Sequence, residues 1–157
     1  MSDKLITTDN PLTDEERRTF MILVATMIPA NEEYGVPAAD DERIFGGILA
    51  KVEELRSLGD ALKALDEMSA ERHEDRFSDL QANDRVELLE EFSRTHAPIF
   101  RAVFSMASQC YYQDDRVLQS LGMEARAPYP QGFDLAQGDW SLLDPVRQRA
   151  KMYRELE

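Results

Sequence analysis

Residues 12–29 have the sequence LTDEERRTFMILVATMIP, which predicts an amphipathic helix with clear limits. Thr13 and Glu16 have the spacing of a capping box, and the acidic first turn suits the positive end of the helix dipole. One helical face collects apolar residues at i, i+3, i+4, i+7 and i+8: Phe20, Leu23, Val24, Met27 and Ile28. Pro29 ends the helix because it lacks a backbone N–H donor and restricts the residue before it.

The segments after this helix have the same apolar periodicity, and no segment alternates like a half-buried strand. Together they predict an all-α fold, a compact helical bundle of five to seven helices. Asp40 or Asp41 is expected to cap the second helix. We interpret Gly46-Gly47 within it as a point of close packing against a neighbouring helix, because glycine otherwise weakens a helix.

Further helices are predicted along the middle of the chain. A short helix over 59–68 is followed by a charged, solvated stretch over 69–77, and Asn83 or Asp84 is expected to cap the next helix. Residues 96–113 are predicted to form the central helix, with the longest apolar face: Ile99, Phe100, Val103, Phe104, Ala107, Cys110 and Tyr111.

The sequence changes character after Gly122, which we expect to end a last short helix that begins at Asp114-Asp115. The following segment is rich in proline, glycine and large apolar residues, and Asp144-Pro145 predicts the start of a short terminal helix. We therefore divide the chain into three parts: an arm (1–11), the bundle (12–122) and an extended tail with a short terminal helix (123–157). The aromatic content predicts that the tail lies on its own bundle or on a partner protein. The residues expected at a partner interface are Tyr129, Phe133, Trp140, Leu142 and Tyr153.

Charge and length restrict the class of protein. The 157 residues suffice for one domain with a real core. The 31 acidic and 18 basic residues give a formal charge of −13, which argues against binding to nucleic acid or to an anionic membrane surface. No stretch approaches the roughly 18–20 apolar residues of a membrane-spanning helix, so direct membrane insertion is not expected.

The sequence offers little material for catalysis. His73 and His96 lack the Glu-x-x-His spacing of di-iron bundles, and Cys110 lies on an apolar face, as small core residues do. Most of the five pairs of adjacent acids are interpreted as solvated charge and not as a catalytic dyad: Glu32-Glu33, Asp40-Asp41, Glu53-Glu54, Glu90-Glu91 and Asp114-Asp115. No dinucleotide fingerprint, nucleophile elbow or zinc spacing occurs. We therefore expect no catalytic, cofactor-binding or metal-ligating residues in this chain.

Three stretches together resemble the gluconate 2-dehydrogenase subunit 3 family. The first is LTDEERRTFMILVATMIP, with the later Gly35-Val36 step; the second is FSDLQANDRVELLEEF, with Arg85 and Leu88-Leu89; the third is FRAVFSMASQCYYQDDRVLQSLG. The resemblance covers most of residues 12–122 and is looser in the tail. Many members have a threonine after the central phenylalanine, where this chain has Ser105 and Ser108.

The resemblance implies a non-catalytic, accessory small subunit. In that family the small subunit supports the folding, stability or export of an FAD-dependent oxidoreductase of the glucose-methanol-choline class. The flavin and the catalytic residues would then belong to the partner, and this chain would hold no cofactor.

Two alternatives from other classes stay open: a stand-alone homodimeric helical protein, and an enzyme based on carboxylate pairs. Many family members also have a twin-arginine signal, which the first residues here lack. The expected location is therefore the cytoplasm, or the periplasm if the chain is exported with a partner or has been processed.

Overall fold

Helices build the fold, as the sequence predicts. The computed structural model describes residues 12–127, 129–134 and 136–150. Its seven helices are α1 (Asp14–Met27), α2 (Glu42–Leu49), α3 (Leu58–His73), α4 (Ala82–Thr95), α5 (Ala97–Tyr111), α6 (Asp115–Ser120) and α7 (Asp144–Arg147). Three 3-10 turns lie between them: Val52–Glu54, Phe77–Asp79 and Trp140–Leu143. Extended pairing in the described residues amounts to one isolated bridge, Asn31 to Val36. The all-α prediction is confirmed.

Helix α1 begins and ends at its sequence signals. The Thr13 hydroxyl oxygen accepts a hydrogen bond from the Glu16 N–H at 3.2 Å, and the Glu16 carboxylate accepts one from the Thr13 N–H at 2.8 Å. This reciprocal pair is the predicted capping box. Ile28 closes the helix by donating its N–H to the Val24 carbonyl, directly before Pro29.

Helix α1 also occupies the centre of the bundle, where it packs against α3, α4, α5 and the Phe77–Asp79 turn. None of residues 19–28 is exposed, and Phe20 is fully buried. A helix that is apolar on nearly every side needs neighbours on nearly every side. The prediction that residues 96–113 form the central helix is wrong, because α1 takes that place. Helix α5 buries one face and leaves Phe104 45% exposed.

Helix α3 is longer than predicted and continues to His73 through the stretch expected to be solvated. Leu65 and Ser69, one turn apart, are both fully buried, so the helix keeps an inward face in this charged region. The Ser69 hydroxyl donates to the Asp75 carbonyl at 2.8 Å, which fixes the chain as it leaves the helix.

Two further local predictions are wrong. Helix α4 begins directly after Gln81, so neither Asn83 nor Asp84 caps it. Gly46 and Gly47 are exposed in α2, and a Cβ atom added at either glycine would meet nothing within 4 Å. Close packing against a neighbouring helix therefore does not explain this glycine pair.

The end of α6 has the predicted form. Gly122 has a φ of 73°, the left-handed conformation in which glycine is favoured. The Met123 N–H donates to the Leu118 carbonyl and the Gly122 N–H to the Gln119 carbonyl. These two bonds form a Schellman motif.

An ion-pair network joins the N-termini of α2 and α6 through Arg116 and Asp41, which are 75 residues apart along the chain. Asp41 caps α2 and Asp114 caps α6. The Arg116 guanidinium bridges them: its Nη2 lies 2.6 Å from Asp41 Oδ1 and its Nε 2.9 Å from Asp114 Oδ1. Arg43 Nε adds a contact of 3.5 Å to Asp114 Oδ2. Asp114 is only 4% exposed, so it is an exception to the solvated charge expected of most acid pairs.

The network holds both capping carboxylates in their ionised form. The side-chain hydrogen bond from Arg116 lowers the pKa of Asp41 and of Asp114, although burial acts in the opposite direction. A buried carboxylate without such a partner would be destabilising, because burial penalises its charge. Arg116 therefore stabilises the charges that cap the two helices.

The described residues fall into two compact units, one ending at Ala125 and the other beginning at Arg126. In the second unit the predicted terminal helix begins at Asp144, as α7, and the extended course of the tail stays a prediction. The predicted arm (1–11) and the end of the terminal helix (151–157) lie outside the described residues. Within the part of the chain that is described, no helix has the length and apolar character to cross a membrane.

Asp114→Ala tests the network. We expect the free energy of unfolding to fall by roughly 2–4 kcal/mol at neutral pH, because a helix cap and charge-assisted hydrogen bonds are lost together. Since the folded-state pKa of Asp114 lies below the ordinary 3.8, its contribution is fully present above that pH and is lost as the pH falls through the lowered pKa.

Urea unfolding at several pH values measures both effects. Asp115→Ala is the matched control, because the Asp115 side chain is half exposed and its one ion pair with a described residue is to Arg43, at 3.4 Å. We expect it to cost no more than about 0.5 kcal/mol. Equal losses for the two variants would contradict the proposed importance of the network.

Candidate functional site

The residues that could act as nucleophile, base or metal ligand lie on different elements. His73 ends α3, and its buried Nε2 has no hydrogen-bond partner among the described residues. His96 joins α4 to α5, and its ring stacks on Phe92 with 4.5 Å between centroids. Cys110 is buried on α5. In the described ranges, no group of three histidine, cysteine or acidic residues could hold a metal ion.

The Arg116 guanidinium brings Asp41 and Asp114 together from two different helices. A catalytic pair of carboxylates needs one group with a raised pKa, so that it can donate a proton near neutral pH. Arg116 lowers the pKa of both groups instead. This arrangement favours a structural role over acid–base chemistry. Among the remaining predicted acid pairs, Glu91 is bound to Arg72 at 2.6 Å.

A cleft of about 450 Å³ lies between α1 and α3. Its lining is mostly charged: Thr13, Glu15, Glu16, Lys63, Asp66, Glu67, Ala70 and Arg76. Sites for small organic ligands are usually apolar with a few polar groups. Each carboxylate oxygen of Asp66 already accepts a hydrogen bond within the protein, one from the Thr19 hydroxyl and one from the Phe77 N–H. The cleft therefore has the character of a solvated surface.

A smaller groove of about 160 Å³ has a different character. It lies where α1, α4 and α5 meet, and we call it the α1/α4/α5 groove. Most of its lining surface is apolar, although three of the six residues are polar: Thr26, Val86, Leu89, Glu90, Ser93 and Phe100. The sequence pattern does not indicate this groove, and the apolar face predicted over 96–113 includes the neighbouring Phe104. In the structure the buried face of α5 runs through Val103, Ala107 and Tyr111, and Phe104 lies beside it.

The second unit exposes large apolar side chains. Tyr129 is 88%, Trp140 61% and Leu142 74% exposed, and the Phe133 side chain is exposed as well. These are four of the five residues predicted at a partner interface; the fifth, Tyr153, lies outside the described residues. Such a concentration of exposed aromatic and aliphatic groups is typical of a protein-binding surface.

Local contacts order part of this exposed segment. Asp139 caps the Trp140–Leu143 turn by accepting hydrogen bonds from the Ser141 N–H and hydroxyl. The Arg126 guanidinium lies 4.8 Å from the centroid of the Phe133 ring, in cation–π geometry. Trp140 and Leu142 are therefore presented on a defined turn.

The family model of gluconate 2-dehydrogenase subunit 3 matches residues 14–128. The chain belongs to this family. No curated protein and no solved structure matches the chain significantly.

The gluconate 2-dehydrogenase subunit 3 match includes helices α1 to α6 and therefore the whole α1/α4/α5 groove. It ends before Tyr129, so the exposed aromatic residues of the second unit lie beyond the part of the chain that establishes family membership. The family model therefore includes the groove but not the exposed aromatic residues of the second unit.

Trp140→Ala tests whether the exposure of this side chain holds in solution. We expect the free energy of unfolding to change by no more than about 0.5 kcal/mol, because Trp140 is mostly exposed. Phe92→Ala, which removes a buried ring from α4, is the contrasting variant and should cost about 3–5 kcal/mol. Chemical denaturation measures both, and the intrinsic fluorescence of the single tryptophan should be readily quenched by acrylamide.

Proposed function

We propose that this chain is an accessory small subunit that binds and stabilises an FAD-dependent oxidoreductase of the glucose-methanol-choline class. Membership of a family named for a subunit of gluconate 2-dehydrogenase carries the proposal. A subunit requires a partner, and the enzyme to which it belongs supplies the redox chemistry. In this proposal the FAD and the catalytic residues belong to the partner, and the present chain contributes binding surface.

The composition of the chain's surface supports this role. The described bundle has its own apolar core, so the exposed Tyr129, Trp140 and Leu142 are not needed to complete it. Burial of large apolar groups against a partner would stabilise the complex by about 25 cal/mol per Å² removed from water. Trp and Tyr are also the residues most enriched among those that dominate binding energy.

Co-expression with a candidate flavoprotein from the same genome tests the proposal. We expect the two chains to purify as one complex whose yellow colour belongs to the larger chain, and the present chain alone to bind no flavin. Stoichiometric flavin on the isolated chain would contradict the proposal, and so would turnover of an alcohol or sugar by it. A symmetric dimer that forms without any flavoprotein would favour the stand-alone alternative. Cell fractionation would test the expected cytoplasmic location.

Trp140→Ala should weaken the complex by about 2 kcal/mol or more, roughly thirtyfold in affinity. The physical reason is the loss of a large apolar surface that becomes buried on binding. Tyr34→Ala is the control, because Tyr34 is an exposed aromatic residue in the loop between α1 and α2. It should change the affinity by less than about threefold, as most residues outside a hot spot do.

Isothermal titration of the flavoprotein with each folded variant measures the two affinities. An unchanged affinity of Trp140→Ala would show that the exposed tail residues lie outside the interface.

A further inference from the structure

The α1/α4/α5 groove has a lining suited to an apolar side chain. Val86 on its wall is 48% exposed, and Phe104 follows Phe100 by one turn of α5 and is 45% exposed. The two hydroxyl groups in the lining already donate to backbone carbonyls of their own helices: Thr26 to Ile22 at 2.8 Å and Ser93 to Glu90 at 2.7 Å. A polar ligand would therefore find neither hydroxyl proton free.

The size of the groove is that of one large side chain. An apolar cavity of about 150 Å³ in another protein takes up a benzene molecule. The groove, at about 160 Å³, has room for a comparable group such as a leucine or phenylalanine side chain. Its open side would leave the backbone of the incoming segment at the surface.

The charge at the rim of the groove favours basic residues beside that apolar side chain in the incoming segment. Glu90 supplies the carboxylate of the lining and forms no ion pair with any described residue. Glu87, also exposed, lies on the same helix less than one turn away. In a chain with a formal charge of −13, this rim attracts a cationic segment and disfavours an acidic one.

We propose that the α1/α4/α5 groove binds a segment of the dehydrogenase partner in which a large apolar residue is flanked by lysine or arginine. The apolar side chain inserts between the three helices, and the cation pairs with Glu90. This inference rests on the proposed function. The groove lies within the residues 14–128 that match the family model.

Photocrosslinking identifies the occupant directly. A benzoylphenylalanine at position 86, in the full-length chain within the flavoprotein complex, should crosslink to a partner peptide in which an apolar residue lies beside a lysine or arginine. The control position is 54, an exposed glutamate outside the groove. Mass spectrometry of the crosslinked peptides gives the result.

A crosslink from position 86 to a second copy of this chain, to its own residues, or to nothing would overturn the groove assignment. Those outcomes leave the proposed function intact as long as the flavoprotein still copurifies. Failure of the flavoprotein to copurify with the unmodified chain would instead overturn the proposed function, and this inference with it.

Charge reversal provides an independent measurement. Glu90→Lys should lower the affinity for the flavoprotein at least about tenfold, since it places a cation against the cationic segment. Glu54→Lys makes the same change in net charge outside the groove and should cost less than about threefold. Thermal unfolding of each free variant checks that both remain folded. Equal affinities of the two variants would overturn the pairing with Glu90.

Discussion

The requirement to cover α1 on nearly every side organises the bundle. From Thr19 to Ile28 this helix has no exposed residue, and its apolar groups point in nearly all directions. Such a helix is unstable in water unless other elements remove it from solvent. The arrangement of α3, α4, α5 and the Phe77–Asp79 turn around it meets this requirement.

The features that could be predicted from sequence are those set by neighbouring residues. The capping box of Thr13 and Glu16, the end of α1 before Pro29 and the turn at Gly122 each depend on contacts within a few positions. The bridge from Arg116 to Asp41 depends on a contact across 75 positions, which no local pattern contains. The sequence predicts too short a helix α3 for a related reason. The charged residues around Ser69 indicate a solvated stretch, whereas the burial of Ser69 in the bundle keeps this stretch helical.

Neither part of the candidate site is set by neighbouring residues alone. The sequence predicts that Trp140 and Leu142 contact the bundle or a partner, and no local pattern contains their exposure. The groove could not be predicted either, because α1, which contributes one wall, is distant in sequence from α4 and α5. Phe104 shows the limit: spacing alone placed it on the apolar face, and only the packing of α5 shows which edge of that face stays in water.

The exposed glycine pair of α2 has a consequence for how the bundle opens. Each glycine costs a helix about 0.8–1 kcal/mol relative to alanine, and neither Gly46 nor Gly47 regains this through packing of its own. Helix α2 has eight residues and depends on the Asp41 cap and on burial of Ile44, Phe45 and Ile48. Local opening of a protein begins where stability is lowest. Transient unfolding of the bundle should therefore start at α2, whose amide hydrogens would exchange with solvent before those of α1.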